Sequence, residues 1–276
     1  VSALDLHTVE RVVVARTRAD LAELGPDTAP LAGGTWLFSE PQDHLRALVD
    51  LTGLGWPDVE VSHDGLTVAA TCPVAVLAGL ELPAGWAARP LLAQCCAAFL
   101  APPKVQRSAT VGGNLCMAYP AGPMISLAAA LDGSVCLWCP DGGERRLPVT
   151  EFVLGDTRTA LRAGEVVRSL ALPAAALAAR TAFRKIALSP LGRSGAVVIG
   201  RRDADGFHLA VSAATVRPVV LRWPAPPGPD LLASAVDGID PDLWHDDAHG
   251  AADWRRAVTG VLAREVVAEL SGGTAA

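Results

Sequence analysis

Two glycine pairs set the tightest limit on what this chain can fold into. One lies in Leu31-Ala-Gly-Gly-Thr35-Trp-Leu-Phe38, at the end of a short apolar segment; the other lies in Arg107-Ser-Ala-Thr-Val-Gly-Gly-Asn114-Leu-Cys116. Paired glycines open backbone angles closed to other residues and let the main chain touch a ligand. Successive N–H groups in such a turn can form an anion-binding concavity, and Thr35 and Asn114 add a hydroxyl and an amide. Neither segment is a G-x-G-x-x-G fingerprint or a Walker loop, so the Rossmann and P-loop readings fail. Taken singly, each pair reads as a turn, glycine being the commonest turn residue. Taken together, they suit a pyrophosphate-bridged dinucleotide held from two sides.

The surrounding pattern is mixed, then changes. A helix is predicted to start at Thr17-Arg-Ala-Asp20, with Thr17 as cap and Asp20 near the positive helix end, and to stop at Gly25-Pro26. Residues 30–32 read as a strand running into Gly33-Gly34, residues 66–70 as a strand, 73–80 as a helix, and 91–100 as an apolar helix closed by Pro102-Pro103. Residues 134–139 and 166–172 read as strands, and 172–180 as a linker. Beyond it, residues 184–188, 196–201, 207–215 and 219–223 form successive strands, with Asp203-Ala-Asp-Gly206 as a hairpin turn. A Pro-rich loop leads to helices that end with 252–270. This is an α+β plan in two domains, 1–173 and 180–276. On the last helix Arg255, Arg256 and Arg264 are interrupted by Asp253, Glu265 and Glu269, which reads as a solvated face.

Composition excludes several function classes. Lys and Arg total 23 against 29 Asp and Glu, a net charge of −6 with no basic cluster, which argues against nucleic acid as a partner. No apolar run approaches the ~20 residues of a membrane span, and the opening VSALDLHTVE lacks the basic head and apolar stretch of a secretory leader. The expectation is a cytoplasmic protein. Six cysteines show no paired framework of the secreted kind. Cys136 and Cys139 form one CxxC on a predicted strand, where residues three apart face opposite ways, a poor start for a zinc site. No cysteine spacing fits a two-iron cluster, so any such cluster belongs on another chain. His245-Asp-Asp-Ala-His249 has metal-like spacing but no defined third ligand. Neither a Ser/His/Asp set nor paired carboxylates point to acid–base or nucleophilic chemistry, so no catalytic residue and no metal ligand is assigned.

LAGGT followed by ATVGGN resembles the FAD-binding subunit of the molybdenum hydroxylase family, of xanthine dehydrogenase and carbon monoxide dehydrogenase type. The likeness continues through YPAGPMISLAAALDG after the second motif, TRTALRAGEVV before the linker, AFRKIAL at the first strand of the second half, and WRRAVTGVLAREVV in the last helix. These matches run in order along nearly the whole chain.

The resemblance implies a two-lobed α+β FAD-binding domain, its lobes meeting near residue 54, and a C-terminal antiparallel sheet with helices. It places Leu31, Ala32, Gly33, Gly34, Thr35 and Trp36 along the FAD diphosphate, and Thr110, Gly112, Gly113 and Asn114 on its other side. Leu100 and Ala101 approach the cofactor, Val167 packs on the flavin ring, and Lys185 sits near its polar edge. Relatives commonly carry Asp at the positions of Pro123 and Trp36, and Arg at that of Gln106. A missing carboxylate removes one hydrogen-bond acceptor, worth roughly 0.5–1.5 kcal/mol. The implied partners are a molybdopterin-binding large subunit and a small subunit with 2Fe-2S clusters. Electrons would reach this FAD from those clusters and leave to NAD, a quinone, oxygen or a protein. The flavin would carry the chemistry while the protein supplies position and electrostatics. The alternatives are a stand-alone FAD-dependent oxidoreductase and a flavin-free structural subunit of the same complex.

Overall fold

The computed structural model describes residues 6–272, so the first five residues of the segment read for a leader lie outside the described residues. The chain opens on a three-stranded parallel sheet with Ala47–Asp50 between Arg11–Val14 and Thr28–Leu31. Pro30 lies on an edge strand, where a missing N–H costs no ladder bond. The helix expected from Thr17 is a 3-10 helix, Arg18–Glu23. Its start is held by Asp20, whose carboxylate accepts the N–H groups of Arg16 and Thr17 at 2.8 Å each. Those bonds keep the Asp20 carboxyl below its ordinary range.

The second sheet is five-stranded and antiparallel, ordered Val59–Val61, Gly65–Ala69, Val166–Pro173, Ser134–Trp138 and Glu144–Pro148. Its central strand is the last of the five in sequence. The helices Arg89–Ala98, Val111–Met117 and Pro123–Ala130 share one apolar core with it, and all eight residues of the last helix are buried. An aromatic clasp joins the first sheet's connection to this one. Trp56 and Trp138 meet edge to face at 5.2 Å, Arg18 lies 4.7 Å from the Trp138 ring, and Arg168 lies 4.5 Å from that of Trp56. Cation–π pairs between partly exposed groups such as these contribute on the order of 0.5–1 kcal/mol.

The third sheet is an antiparallel meander of Arg180–Ile186, Ala196–Asp203, Gly206–Ser212 and Val219–Trp223. Alternation along Ala196–Asp203 sends Val198 toward the closing helix Ala252–Ser271, while Val197 and Ile199 join the core of the second sheet. A sheet buried on both faces explains the near-continuous apolar run of that strand. Contacts across the junction are polar as well: Asp132 accepts from Arg201 and from Arg222 (2.8 Å), and Ala213 N–H donates to the Pro120 carbonyl at 2.8 Å.

Two expectations change here. The stretch read as a linker is structured, because Ala174–Ala178 forms a helical turn whose Ala176 and Leu177 are buried, and the Leu177 carbonyl accepts from Ala88 N–H at 2.9 Å. Alanines gave no turn signal there; they are small enough to pack a tight crossover. Arg255, read as part of a solvated face, is 1% exposed.

Candidate functional site

The first glycine loop leaves the edge strand Thr28–Leu31 and bends across residues 32–37. Gly34 makes the bend at φ +67°, and a side chain there would also strike the Phe38 ring. Phe38 N–H returns to the Gly34 carbonyl at 2.9 Å, and the Ser39 hydroxyl donates to the Thr35 carbonyl at 2.6 Å. Gly33 rests directly on the segment that precedes the second loop: a Cβ there would fall 1.8 Å from the Ser108 carbonyl oxygen. The two loops therefore abut, main chain on main chain. The N–H groups of Gly33, Gly34, Thr35 and Trp36 have no hydrogen-bond partner among the described residues. Four free donors on a half-buried turn are a set that an anionic oxygen can satisfy.

The second glycine loop is built differently from the expected cradle. Thr110 caps Val111–Met117, its hydroxyl accepting Gly113 N–H at 3.1 Å. Val111 N–H donates to the Cys72 carbonyl, Gly112 N–H to that of Ala70, both at 2.9 Å, and Asn114 N–H to that of Thr110 at 3.0 Å. The amides predicted to form an anion concavity are already engaged. Gly112 is there for contact, since a Cβ would meet the Ala70 Cβ at 2.4 Å and its backbone at 2.7 Å. What this loop offers is side-chain chemistry. The Asn114 Oδ1 accepts Met124 N–H at 3.0 Å, which leaves its NH₂ free to donate.

The other residues singled out are scattered around these loops. Leu100 takes φ +49° and is partly exposed, and the Ala101 carbonyl beside it accepts from the Gln106 side chain at 2.8 Å. Gln106 thus steadies the turn ahead of the second loop. Val167 is 3% exposed within the core of the second sheet, opposite Leu137. Lys185 is exposed on Arg180–Ile186, on the side opposite Arg184, whose guanidinium pairs with Glu265 (3.0 Å) and Glu269 (2.7 Å) of the closing helix.

Three side chains were not anticipated. Trp36 Nε1 donates to the hydroxyl of Tyr119, the chain's single tyrosine, at 3.0 Å, and Arg193 lies 5.7 Å from the Tyr119 ring. Arg255 donates to the carbonyls of Gly250 (2.8 Å), Gly195 (2.8 Å) and Ala213 (2.6 Å) and pairs with Asp247. It ties three loops together beside Tyr119-Pro120. A signal for it existed: Arg255, Thr259, Leu262, Ala263 and Val266 fall at helical spacing on one buried stripe. The His245–His249 stretch belongs to the same knot. His245 Nε2 lies 3.2 Å from Asp247, and His249 N–H donates to that carboxylate at 2.8 Å. Burial pushes the Asp247 carboxyl up, but the His249 N–H and the Arg255 charge outweigh it and hold it below the usual range. The CxxC thiols part company: Cys136 Sγ lies 3.7 Å from Glu144, and Cys139 Sγ lies 3.6 Å from Glu165.

Two cavities lie near the C-terminal half. The larger, about 530 Å³, sits between Pro229–Asp237 and the closing helix and shares no residue with either glycine loop. The smaller, about 270 Å³, is rimmed by Tyr119 and so adjoins the first loop through Trp36.

Residues 8–175 match the family described as the FAD binding domain in molybdopterin dehydrogenase. The chain is 27% identical over 213 residues to the carbon monoxide dehydrogenase medium chain of Hydrogenophaga pseudoflava, covering 73% of this chain and 71% of that one. Among solved structures, quinoline 2-oxidoreductase from Pseudomonas putida 86 superposes with a TM-score of 0.77 at 20% identity, over 95% of this chain and 96% of that one. Carbon monoxide dehydrogenase from Oligotropha carboxidovorans superposes with 0.76 at 19% identity, over 94% and 96%. The mixed helix-and-sheet architecture described above is the fold of those chains.

Proposed function

Since the chain belongs to the family of FAD binding domains in molybdopterin dehydrogenases, we propose that it serves as the FAD-binding electron-transfer subunit of a molybdenum hydroxylase complex. In this reading a large subunit holds molybdopterin, a small subunit holds 2Fe-2S clusters, and the acceptor is NAD, a quinone or oxygen. Residues 1–173 bind FAD as two lobes meeting near residue 54, residues 180–276 form the C-terminal domain, and the complex works in the cytoplasm. Among the described residues no helix is long and apolar enough to cross a membrane.

The observation that carries this reading is the first glycine loop, seated on residues 108–109 with four unpartnered N–H groups. A diphosphate needs donors with no competing acceptor, and charge-assisted bonds to main-chain N–H groups are the strong kind. The chain's residues fit FAD on that ground. Gly33, Gly34, Thr35 and Trp36 hold the diphosphate with Leu31 and Ala32 leading in, while Thr110, Gly112, Gly113 and Asn114 wall the opposite side through shape and the Asn114 amide. Leu100, Ala101, Val167 and Lys185 complete the set, with Val167 supporting from within the core. FAD, when bound, supplies the electron exchange; the chain binds it, orients it and excludes water.

The test is to purify the full chain from its native complex. A flavin spectrum near one FAD per chain, with molybdenum and iron co-purifying on other subunits, is the expected result. Colourless protein that takes up no added FAD sinks the reading, and a flavin-bearing chain without partners converts it to a stand-alone flavoenzyme.

A further inference from the structure

Three side chains line up across the third sheet where it meets the helix Pro123–Ala130. The register sets Arg201 opposite His208 and His208 opposite Arg222. Strand pairing thus places an imidazole between two guanidinium groups on one face. That row docks on Asp132, just past the helix: its Oδ1 accepts from Arg222 Nη2 at 2.8 Å, and its Oδ2 pairs with Arg201. Asp203 closes the row from the hairpin end. Its Oδ2 lies 2.8 Å from Arg201 Nε, and its Oδ1 accepts the N–H groups of Asp205 and Gly206. Two arginines and two aspartates balance, so the set carries no net charge while His208 is neutral.

The protonation state of His208 follows from its bonds. Its Nδ1 lies 2.6 Å from Arg222 Nη1. Arginine can only donate, so Nδ1 is the accepting nitrogen and the proton of the neutral ring sits on Nε2. Nε2 lies 3.5 Å from Asp203 Oδ1 without forming a hydrogen bond. A second proton must go to Nδ1, where it would point at a donor. Burial, and then the Arg201 charge, pushes His208 below its ordinary range, with Arg222 adding to the effect and Asp203 and Asp132 opposing it.

We infer that His208 is an acid-operated latch on the junction between the third sheet and the core of the second. Neutral, it bridges the row that docks on Asp132; protonated, it repels Arg222 and loosens that row. Val197, Ile199 and Ala210 share the row's face and belong to the second sheet's core, so loosening opens that core at its edge. The docked ring holds its proton less tightly than a free imidazole, which titrates near ~6.5. The junction is therefore whole above that pH and weakens as the pH falls below it, by at most about tenfold per pH unit for one proton. The latch goes beyond flavin binding and holds whether or not the chain carries FAD.

Hydrogen exchange on the full chain between pH 7 and pH 5, with intrinsic exchange rates divided out, reads the latch. The reporter is Ala213 N–H, which crosses the junction to the Pro120 carbonyl. The control is the ladder between Val166–Pro173 and Ser134–Trp138. Burial pushes the Asp132 carboxyl up, but its bonds to Arg222 and Arg201 outweigh that and keep it charged through this interval. Protection at Ala213 should fall, by at most about a hundredfold over the interval, while the control amides hold. His208→Asn offers an oxygen where Nδ1 stands and cannot titrate, so it should fold and lose the acid response. Wild-type protection at Ala213 that does not change overturns the inference. So does an equal loss in His208→Asn, or an equal loss at the control amides. Should the variant fail to fold, NMR titration of the His208 ring in the wild type decides: a value below that of free imidazole supports the latch, and one at or above it overturns it.

Discussion

The two glycine loops look alike on paper and do opposite things in space. In the first, Gly33 and Gly34 leave their N–H groups without a partner and bring the turn against the Ser108 carbonyl. In the second, Gly112 and Gly113 have theirs bonded to Ala70 and Thr110, and Gly112 exists to let a helix start lie against Ala70. One pair presents donors; the other closes a gap between helix and strand. The difference teaches that a glycine pair signals close approach of the backbone, while the hydrogen-bond inventory says what approaches.

Gly33→Ala is the most severe way to test that contrast. Its Cβ would meet a main-chain carbonyl that cannot swing aside, so the loops must separate. We expect a stability loss of roughly 1–3 kcal/mol in thermal melts and FAD affinity lower by about ten- to hundredfold. Wild-type affinity in Gly33→Ala protein would break the comparison. Gly112→Ala should give a similar melt, since its Cβ meets Ala70 with an overpacking cost of roughly 1–3 kcal/mol. Here the folded fraction should still bind FAD within about threefold of wild type, a shift under the ~1.4 kcal/mol of a tenfold change. A large affinity loss there would mean the second loop also presents donors.

Thr110→Val removes the hydroxyl that caps Val111–Met117. The expected loss is about 1 kcal/mol of stability, read by urea unfolding, with little effect on flavin fluorescence titrations. The smallest change sharpens the first loop alone. Trp36→Phe deletes the Nε1–H bond to Tyr119 and should cost roughly 0.5–1.5 kcal/mol. Its mark should be a change in tyrosine environment on FAD titration, and an unaltered signal would show that Trp36 does not hold Tyr119 in place.

Much of this was legible in the chain as written. The residues of both loops stood out by type, the meander from Ala196 to Trp223 by its apolar strands and its Asp-Gly turn, and the closing helix by periodicity. Other features were not. Residues 174–178 carry only alanine and leucine, a composition equally at home in a linker and a packed turn. Arg255 lies on the apolar stripe of its helix, yet its charge argues for solvent. Its burial is tolerated because the carbonyls of Gly195 and Ala213, from distant parts of the chain, join the nearby Gly250 carbonyl and the Asp247 carboxylate around its guanidinium. Tyr119 and Arg193 meet because the second and third sheets share a core.

What the sequence alone determined is local: where glycine relieves steric limits, where alternation or a 3.6-residue period selects strand or helix, and which charges and cysteines rule out other chemistries. Those properties depend on a residue and its near neighbours. The tertiary structure alone decided that Gly33 touches Ser108, that the second loop's amides are engaged while the first loop's are free among the described residues, and that Asp156 and Arg193 line one cavity. Hydrogen bonding and burial depend on which segments pack together, and no local pattern encodes whether a donor meets an acceptor from the far side of the fold.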